Sequence, residues 1–225
     1  MNVIASVALK AVYLELLPAF QRQSKDKVET QWVGMADIRK RMLAGEVCDV
    51  VIGSASLIED LVAGGSLDSR SRVDIAKSGV GAAVRAGARK PDIGNVDALK
   101  NALRGARSIV YSSGPSGIYL AELFQRLGMA EELKSKAVQA PPGALVGELV
   151  AEGKFELCFQ QVPELRQVKG IDYVGQLPRE VQLTTVFAGA VHSKSSESKA
   201  GTALLRHLAS RDARRVLSKH GLEPA

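Results

Sequence analysis

Ala44-Gly45-Glu46-Val47-Cys48-Asp49-Val50-Val51-Ile52 is the stretch that decides the fold class. Its glycine follows a helical pattern, Met35–Leu43, and suits the left-handed position just past a helix end. The apolar, β-branched run that comes next has strand length, and a second helical pattern, Leu57–Val62, follows it through Gly53-Ser54-Ala55-Ser56. The same alternation continues upstream. Val3–Ser6 reads as a strand. From Val7 to about Gln23, the residues Leu9, Val12, Tyr13, Leu16, Leu17 and Phe20 keep helical spacing. Val28–Val33 is the next strand. Short apolar runs of this kind belong to strands covered on both faces. Their alternation with helices predicts an α/β fold whose sheets are mixed, mostly parallel and flanked by helices.

A second block starts near Gly79. Val80–Arg85 reads as a strand, Asn95 as the cap of a helix over Val96–Ala106, and Ser108–Tyr111 as a strand. The helix Ile118–Leu127, extended Ala137–Gln139, helical Ala144–Ala151 and strand Phe155–Gln160 follow. A further strand lies near Thr184–Val191, and two helices, Lys199–Leu208 and Asp212–His220, close the chain. Within the second block, Glu152-Gly153-Lys154-Phe155-Glu156-Leu157-Cys158-Phe159 echoes the opening stretch. Any helix-to-strand turn looks like this. Two structurally similar lobes would produce the same echo and would place a cleft between them, where ligands commonly bind.

Composition narrows the function. The 225 residues carry a net charge of +6 and are 46% hydrophobic, which suits a packed core and excludes general disorder. Basic and acidic residues are interleaved, and aromatics make up only 4%, so neither a nucleic-acid face nor a base-stacking platform is expected. Cys48 and Cys158 form no CxxC or Cys/His cluster and read as small buried hydrophobes; no metal and no cofactor is expected. No apolar run approaches the ~20 residues of a membrane-spanning helix, so no membrane insertion is expected. The opening Met1-Asn2-Val3-Ile4-Ala5-Ser6 has no signal-peptide pattern. The expected location is the periplasm if a signal was removed, and otherwise the cytoplasm.

The chemistry sits at strand-to-helix junctions. In open α/β sheets these lie at the carboxyl ends of the strands, the usual ligand edge. Ser6-Val7, Gly34-Met35, Ser54, Pro141-Pro142-Gly143-Ala144 and the turn Ser112-Ser113-Gly114-Pro115-Ser116-Gly117 all open helices. A helix start exposes unpaired N–H groups and a partial positive charge, and serine adds a donor, although serine is also an ordinary cap. The Ser112–Gly117 turn is not a P-loop, because no Gly-Lys-Ser/Thr follows. Acid–base candidates are few. They are Ser78, His192 after a strand, and Glu164 at a strand end, where a plain helix-start carboxylate is the ordinary reading. Arg39, Arg70, Arg72 and Lys77 offer charge to a carboxylate ligand.

An ordered set of segments carries a family resemblance. It comprises Ala5-Ser6-Val7-Ala8-Leu9-Lys10, the 44–52 stretch, and Ser71-Arg72-Val73-Asp74-Ile75-Ala76-Lys77-Ser78-Gly79-Val80-Gly81. Lys90-Pro91-Asp92-Ile93, Tyr111-Ser112-Ser113-Gly114 and Gly221-Leu222-Glu223-Pro224 complete it. Together they resemble the molybdate-binding type of bacterial extracellular solute-binding proteins, which serve ABC importers. The resemblance implies a type 2 periplasmic-binding-protein fold with two lobes crossed twice by the chain. One lobe would hold residues 1–78 and 190–225, the other 79–189, with an anion in the cleft and hinge closure on binding.

Carried onto this chain, the ligand-binding positions are Ser6, Val7, Gly34, Met35, Ser54 and Ser78 from the first lobe. From the second they are Ser113 or Ser116 with Gly117, then Gly143-Ala144 and Gln160 at the strand end. Met35 and Phe159 stand where molybdate binders place a serine and a tyrosine. Two hydroxyl donors are thereby lost, which points from a tetrahedral oxyanion toward a carboxylate. The expected function is capture of a small organic anion for an ABC permease by a monomer or weak dimer. The alternative is an isomerase of aconitate-like tricarboxylates, whose double-bond shift needs one group to remove a proton and another to return one. A regulatory effector domain of the LysR type would share the fold but needs a DNA-binding region ahead of it.

Overall fold

The two glycine turns take the conformation that ends a helix. Gly45 has φ +82° and Gly153 φ +78°. In each, the next amide reaches back five residues, Glu46 N–H to Arg41 O at 3.1 Å and Lys154 N–H to Leu149 O at 3.0 Å. That bond satisfies a carbonyl left over at the helix end and turns the chain into a strand.

A computed structural model describes residues Met1–Ala225. The chain begins β1 (Asn2–Ser6), α1 (Lys10–Ser24), β2 (Glu29–Val33), α2 (Met35–Leu43), β3 (Val50–Ser54), α3 (Ala55–Ala63), β4 (Val73–Ser78). It continues β5 (Val80–Arg85), α4 (Val96–Gly105), β6 (Ile109–Tyr111), α5 (Pro115–Arg126), α6 (Ala130–Leu133), β7 (Ala137–Gln139), α7 (Val146–Ala151), β8 (Leu157–Gln161), α8 (Val162–Arg166), β9 (Ile171–Gln176). It ends β10 (Thr185–Val191), α9 (Ser198–Leu208), α10 (Ala213–Lys219), β11 (Glu223–Pro224). No helix is long and apolar enough to cross a membrane.

Contacts divide the chain into Met1–Ser78 with Thr185–Ala225, and Gly79–Thr184. The sequence reading returned the chain to the first lobe at residue 190. The return is five residues earlier, because Thr185 already pairs with Ser78 and Phe187 with Ser54.

The first unit is a six-stranded sheet in the order β11-β4-β10-β3-β1-β2. β1 is parallel to both β2 and β3, while β10 is antiparallel to β3 and β4. Side chains alternate between two cores, as the twofold period of a strand requires. Val3, Ala5, Val50 and Ile52 pack with α1, α9 and α10, whereas Ile4 and Val51 pack with α2 and α3.

The second unit is a five-stranded sheet in the order β7-β6-β8-β5-β9. β6 is parallel to β7 and β8, and β5 is antiparallel to β8 and β9. Val80, Ala82, Val84, Leu157 and Phe159 face α4, α5 and α6, while Ala83, Val110 and Cys158 face α7 and α8. Asn95 caps α4 by accepting the Ala98 N–H at 2.9 Å.

Candidate functional site

In the first unit the parallel strands end level with one another. Ser6 lies opposite Val33, and Ala5 opposite Ile52. β10 runs against both β3 and β4, so β4 points the same way as β3; Phe187 is flanked by Ser54 and Ala76, which puts Ser78 on the same edge. One sheet edge thus collects Ser6-Val7, Gly34-Met35, Ser54 and Ser78.

Two of these serines serve the fold as caps. Ser6 Oγ accepts the Ala8 N–H at 3.3 Å. Ser54 Oγ accepts the Leu57 N–H at 3.3 Å and lies 3.2 Å from Ser56 Oγ. Gly34 caps α2 without a side chain, so the first-turn amides of α2 have no partner inside the helix. Met35 bends back over the end of β3. The Ser54 amide donates to its sulfur at 3.3 Å, and a Cβ on Gly53 would stand 3.4 Å from that sulfur. A thioether therefore covers the spot where the family resemblance would place a hydroxyl.

Three of the four candidate cations, the arginines, have partners of their own. Arg39 pairs with Asp60, Arg70 with Asp68, and Arg72 with Glu59 and Asp74. His192 lies at the opposite edge. Because β10 is antiparallel to β3, Val191 sits opposite Val50, and the His192 amide donates to Asp49 O at 3.0 Å. Its Nδ1 accepts the Lys194 N–H at 3.1 Å. Burial, with Lys194 adding to it, holds the ring below the ordinary histidine range. As a proton donor or acceptor, His192 is separated from the serine edge by the length of a strand.

In the second unit β6, β7 and β8 are parallel and also end together. Tyr111 lies opposite Gln139 and Phe159, the Ser112 N–H donates to Phe159 O, and the Ala140 N–H donates to Tyr111 O. This brings the Ser112–Gly117 turn, the Gly143–Ala144 turn and the start of α8 to one edge. Ser112 and Ser116 share a buried hydroxyl–hydroxyl bond of 2.8 Å, whereas Ser113 is half-buried. Gly117 is there for packing. A Cβ on it would stand 1.5 Å from Ser112 O, so only glycine lets α5 start against the end of β6. Gly143, at φ +81°, turns the exposed Pro141–Gly143 segment into the approach to α7.

Gln160 is occupied at both ends. Its Oε1 accepts the Val146 N–H at 3.1 Å, and its Nε2 donates to Glu164 Oε1 at 3.0 Å and to Ala144 O at 3.5 Å. It ties the Gly143–Ala144 turn to Glu164. Glu164 is 8% exposed, unlike an ordinary carboxylate in a first helical turn. Burial pushes its carboxyl up from 4.5 to about 7, and the Gln160 bond offsets part of that rise. The sequence marks Glu164 by its place at a strand end, while its burial and its bond to Gln160 have no local signal beyond the four-residue spacing between them.

Phe159 belongs to the core on the α5 side of the sheet, so its side chain and that of Gln160 leave the strand on opposite faces. Burial raises both Cys48 and Cys158 thiols to about 12, which keeps them out of thiolate chemistry.

Comparison with known proteins places the chain. The family model for the bacterial extracellular solute-binding proteins matches residues 1–223. An aconitate isomerase of a Pseudomonas species is 39% identical over 230 residues, spanning 100% of this chain and 87% of that protein. The periplasmic molybdate-binding protein of Azotobacter vinelandii superposes with a TM-score of 0.81 at 17% identity, covering 99% of this chain and 98% of that one. The sulfate-binding protein of Mycobacterium tuberculosis superposes with a TM-score of 0.79 at 19% identity, covering 100% and 86%. These structural likenesses carry the fold, a mixed α/β architecture of the type 2 periplasmic-binding kind. The full-length sequence matches carry more, and on them the chain belongs to the bacterial extracellular solute-binding proteins.

Proposed function

We propose that this protein captures a small organic anion bearing carboxylates, through the helix-start donors on its two strand edges, and delivers it to an ABC permease from the periplasm. The candidate positions are Ser6, Val7, Gly34, Met35, Ser54 and Ser78 on the edge of the first unit, and Ser113, Ser116, Gly117, Gly143 and Ala144 on that of the second, where the Gly117 and Ala144 amides already donate to Gly114 O and Pro141 O. Gln160, with both ends of its amide occupied, positions the Gly143–Ala144 turn. The observation that carries the choice of a carboxylate is Met35. Its thioether lies on Gly53 and Ser54 and supplies no hydrogen-bond donor, whereas a buried oxyanion needs every oxygen satisfied. A flat carboxylate with an apolar body fits a thioether wall better than a tetrahedral oxyanion does.

Calorimetric titration with molybdate, sulfate and a panel of di- and tricarboxylates tests this. A tricarboxylate is expected to bind with a dissociation constant on the order of micromolar, about −8 kcal/mol, and the inorganic anions far more weakly. No binding below millimolar for any organic acid would sink the proposal, and tight molybdate binding would redirect it.

The second reading is an aconitate-type isomerase, favoured by the relative of that name at 39% identity across the whole chain. The balance of such a reaction is internal. A proton leaves one carbon, the double bond shifts, and a proton returns to another carbon. Glu164 is the group of the second unit's edge whose titration lies close enough to neutrality to serve it. Following the absorbance of trans-aconitate separates the readings: turnover favours the isomerase, and binding without turnover the carrier.

A further inference from the structure

The Gln160–Glu164 pair does more than hold a turn. Gln160 has one acceptor oxygen and one amide nitrogen, and the backbone fixes which is which. Val146 presents an N–H, so Oε1 must face it, and Nε2 is left to face Ala144 O and Glu164 Oε1. A flipped amide would set two donors against each other at Val146. Glu164 Oε1 is therefore an acceptor in either charge state, and its proton can reside only on Oε2.

No hydrogen bond or ion pair of the fold engages Oε2. Arg166, on the same helix, stacks 5.3 Å over the Tyr173 ring instead. The other ionisable groups on the elements packed against α8 are Arg85 on β5, Cys158 on β8, Asp172 and Tyr173 on β9, and Glu148 on α7. None of them forms an ion pair with Glu164. Its charged form is thus buried without a counter-ion, at the edge that also carries Ser113 and the Gly143–Ala144 turn.

We infer that Glu164 Oε2 is the proton-exchanging group of this edge, holding its proton against a bound carboxylate and losing it when the site is empty at higher pH. This deepens the organic-anion reading and rests on it. Neutral Glu164 donates an O–H to a carboxylate oxygen, whereas ionised Glu164 repels it. Anion capture above neutral pH then takes up one proton per ligand. Burial supports the same picture, since it lifts the carboxyl to about 7.

The test is calorimetric titration of trans-aconitate into wild-type protein and Glu164→Gln between pH 5.5 and 8.5. The ligand's own carboxyls titrate identically against both proteins, so a difference in slope between them belongs to Glu164. The amide of Glu164→Gln keeps the acceptor that Gln160 needs and places a permanent donor where Oε2 was. Wild-type affinity is expected to fall about tenfold per pH unit once Glu164 ionises. Glu164→Gln is expected to hold the low-pH affinity across the range. A flat wild-type profile, or the same slope in both proteins, overturns the inference while leaving the anion reading standing. Should the variant fail to fold, wild-type titrations at pH 8 in buffers of different ionisation enthalpy still decide. Uptake of close to one proton supports the inference and zero uptake overturns it. If trans-aconitate and the other tricarboxylates bind at no pH, the anion reading falls, and this inference falls with it.

Discussion

The two units solve the same problem with different chemistry. Each gathers three parallel strand ends at one edge and follows them with helix starts. In the first unit the buried polar side chains at that edge are Ser6, Ser54, Ser78 and Thr185; two of the serines already cap helices, and no buried acid or base accompanies them. In the second the edge holds a buried carboxyl, wired through Gln160 to the start of α7. The first unit thus offers fixed neutral donors whose strength does not change with pH. The second offers a donor that can be switched. One shared architecture hosts both because the strand-end geometry constrains the backbone and leaves the side chains open.

The sharpest way to break this comparison is through close-packed glycines. Gly117→Ala drives a Cβ into the backbone carbonyl of Ser112, which cannot move without displacing β6 or α5. A loss of more than about 3 kcal/mol in urea unfolding is expected. Gly189→Ala in the first unit crowds chiefly the tip of the Leu205 side chain, with the Val51 carbonyl 3.1 Å away, so a side chain rather than the backbone takes up most of the overlap. Its cost is expected to be about 1–2 kcal/mol. Equal losses would mean that the start of α5 is not pinned in the way the second unit's edge requires.

Next in size is pH. The folded-state carboxyl of Glu164 sits near 7 rather than 4.5, so between those values the folded protein holds a proton that the unfolded chain has released. Stability therefore declines as pH rises through that window, and is about 3 kcal/mol lower above it from this group alone. Unfolding at pH 5 and pH 8 should show the decline in wild type and its disappearance in Glu164→Gln. No substitution among the edge serines of the first unit should alter this slope.

The smallest effects come from the caps. Ser54→Ala removes the acceptor for the Leu57 N–H and is expected to cost about 1 kcal/mol. Gly114, the cap of α5, has no side chain and open space where a Cβ would go, so Gly114→Ser is expected to stabilise by a few tenths of a kcal/mol, about the difference between the two residues as caps. Thermal unfolding of the pair tests whether the first unit's edge is already capped and the second's is not.

The sequence made the junctions legible because each is announced by glycine, serine or proline beside an apolar run. Ser6, Gly34, Ser54, Ser112–Gly117 and Gly143 all stand out in this way; the first four sit at strand ends, and Gly143 lies in the loop between β7 and α7. Direction along the sheet was not legible. His192 follows a strand just as Ser54 does, and only the antiparallel pairing of β10 puts it on the far edge. The same strand hid the return point, since Thr185–Val191 is one apolar run with no turn residue to mark its start. β9 escaped notice because Ile171-Asp172-Tyr173-Val174-Gly175-Gln176 is an edge strand, half-buried for most of its length, with no apolar run to betray it. Glu164 looked like a solvated helix-start carboxylate. Its burial follows from α8 packing against β5, β8 and β9, a tertiary fact with no local pattern.

The placement of β10 also bears on how the molecule is made. β10 lies between β3 and β4, and Thr185 pairs with Ser78 roughly a hundred residues earlier in the chain. The second unit is a continuous stretch between those two residues and makes its ladders from its own strands. On a ribosome it can close as soon as it has emerged. The first unit must wait with β3 and β4 apart, their facing edges unpaired, until the final fifth of the chain arrives to seal them. Conditions that stall synthesis or weaken the second unit will therefore appear first as aggregation through those waiting strands.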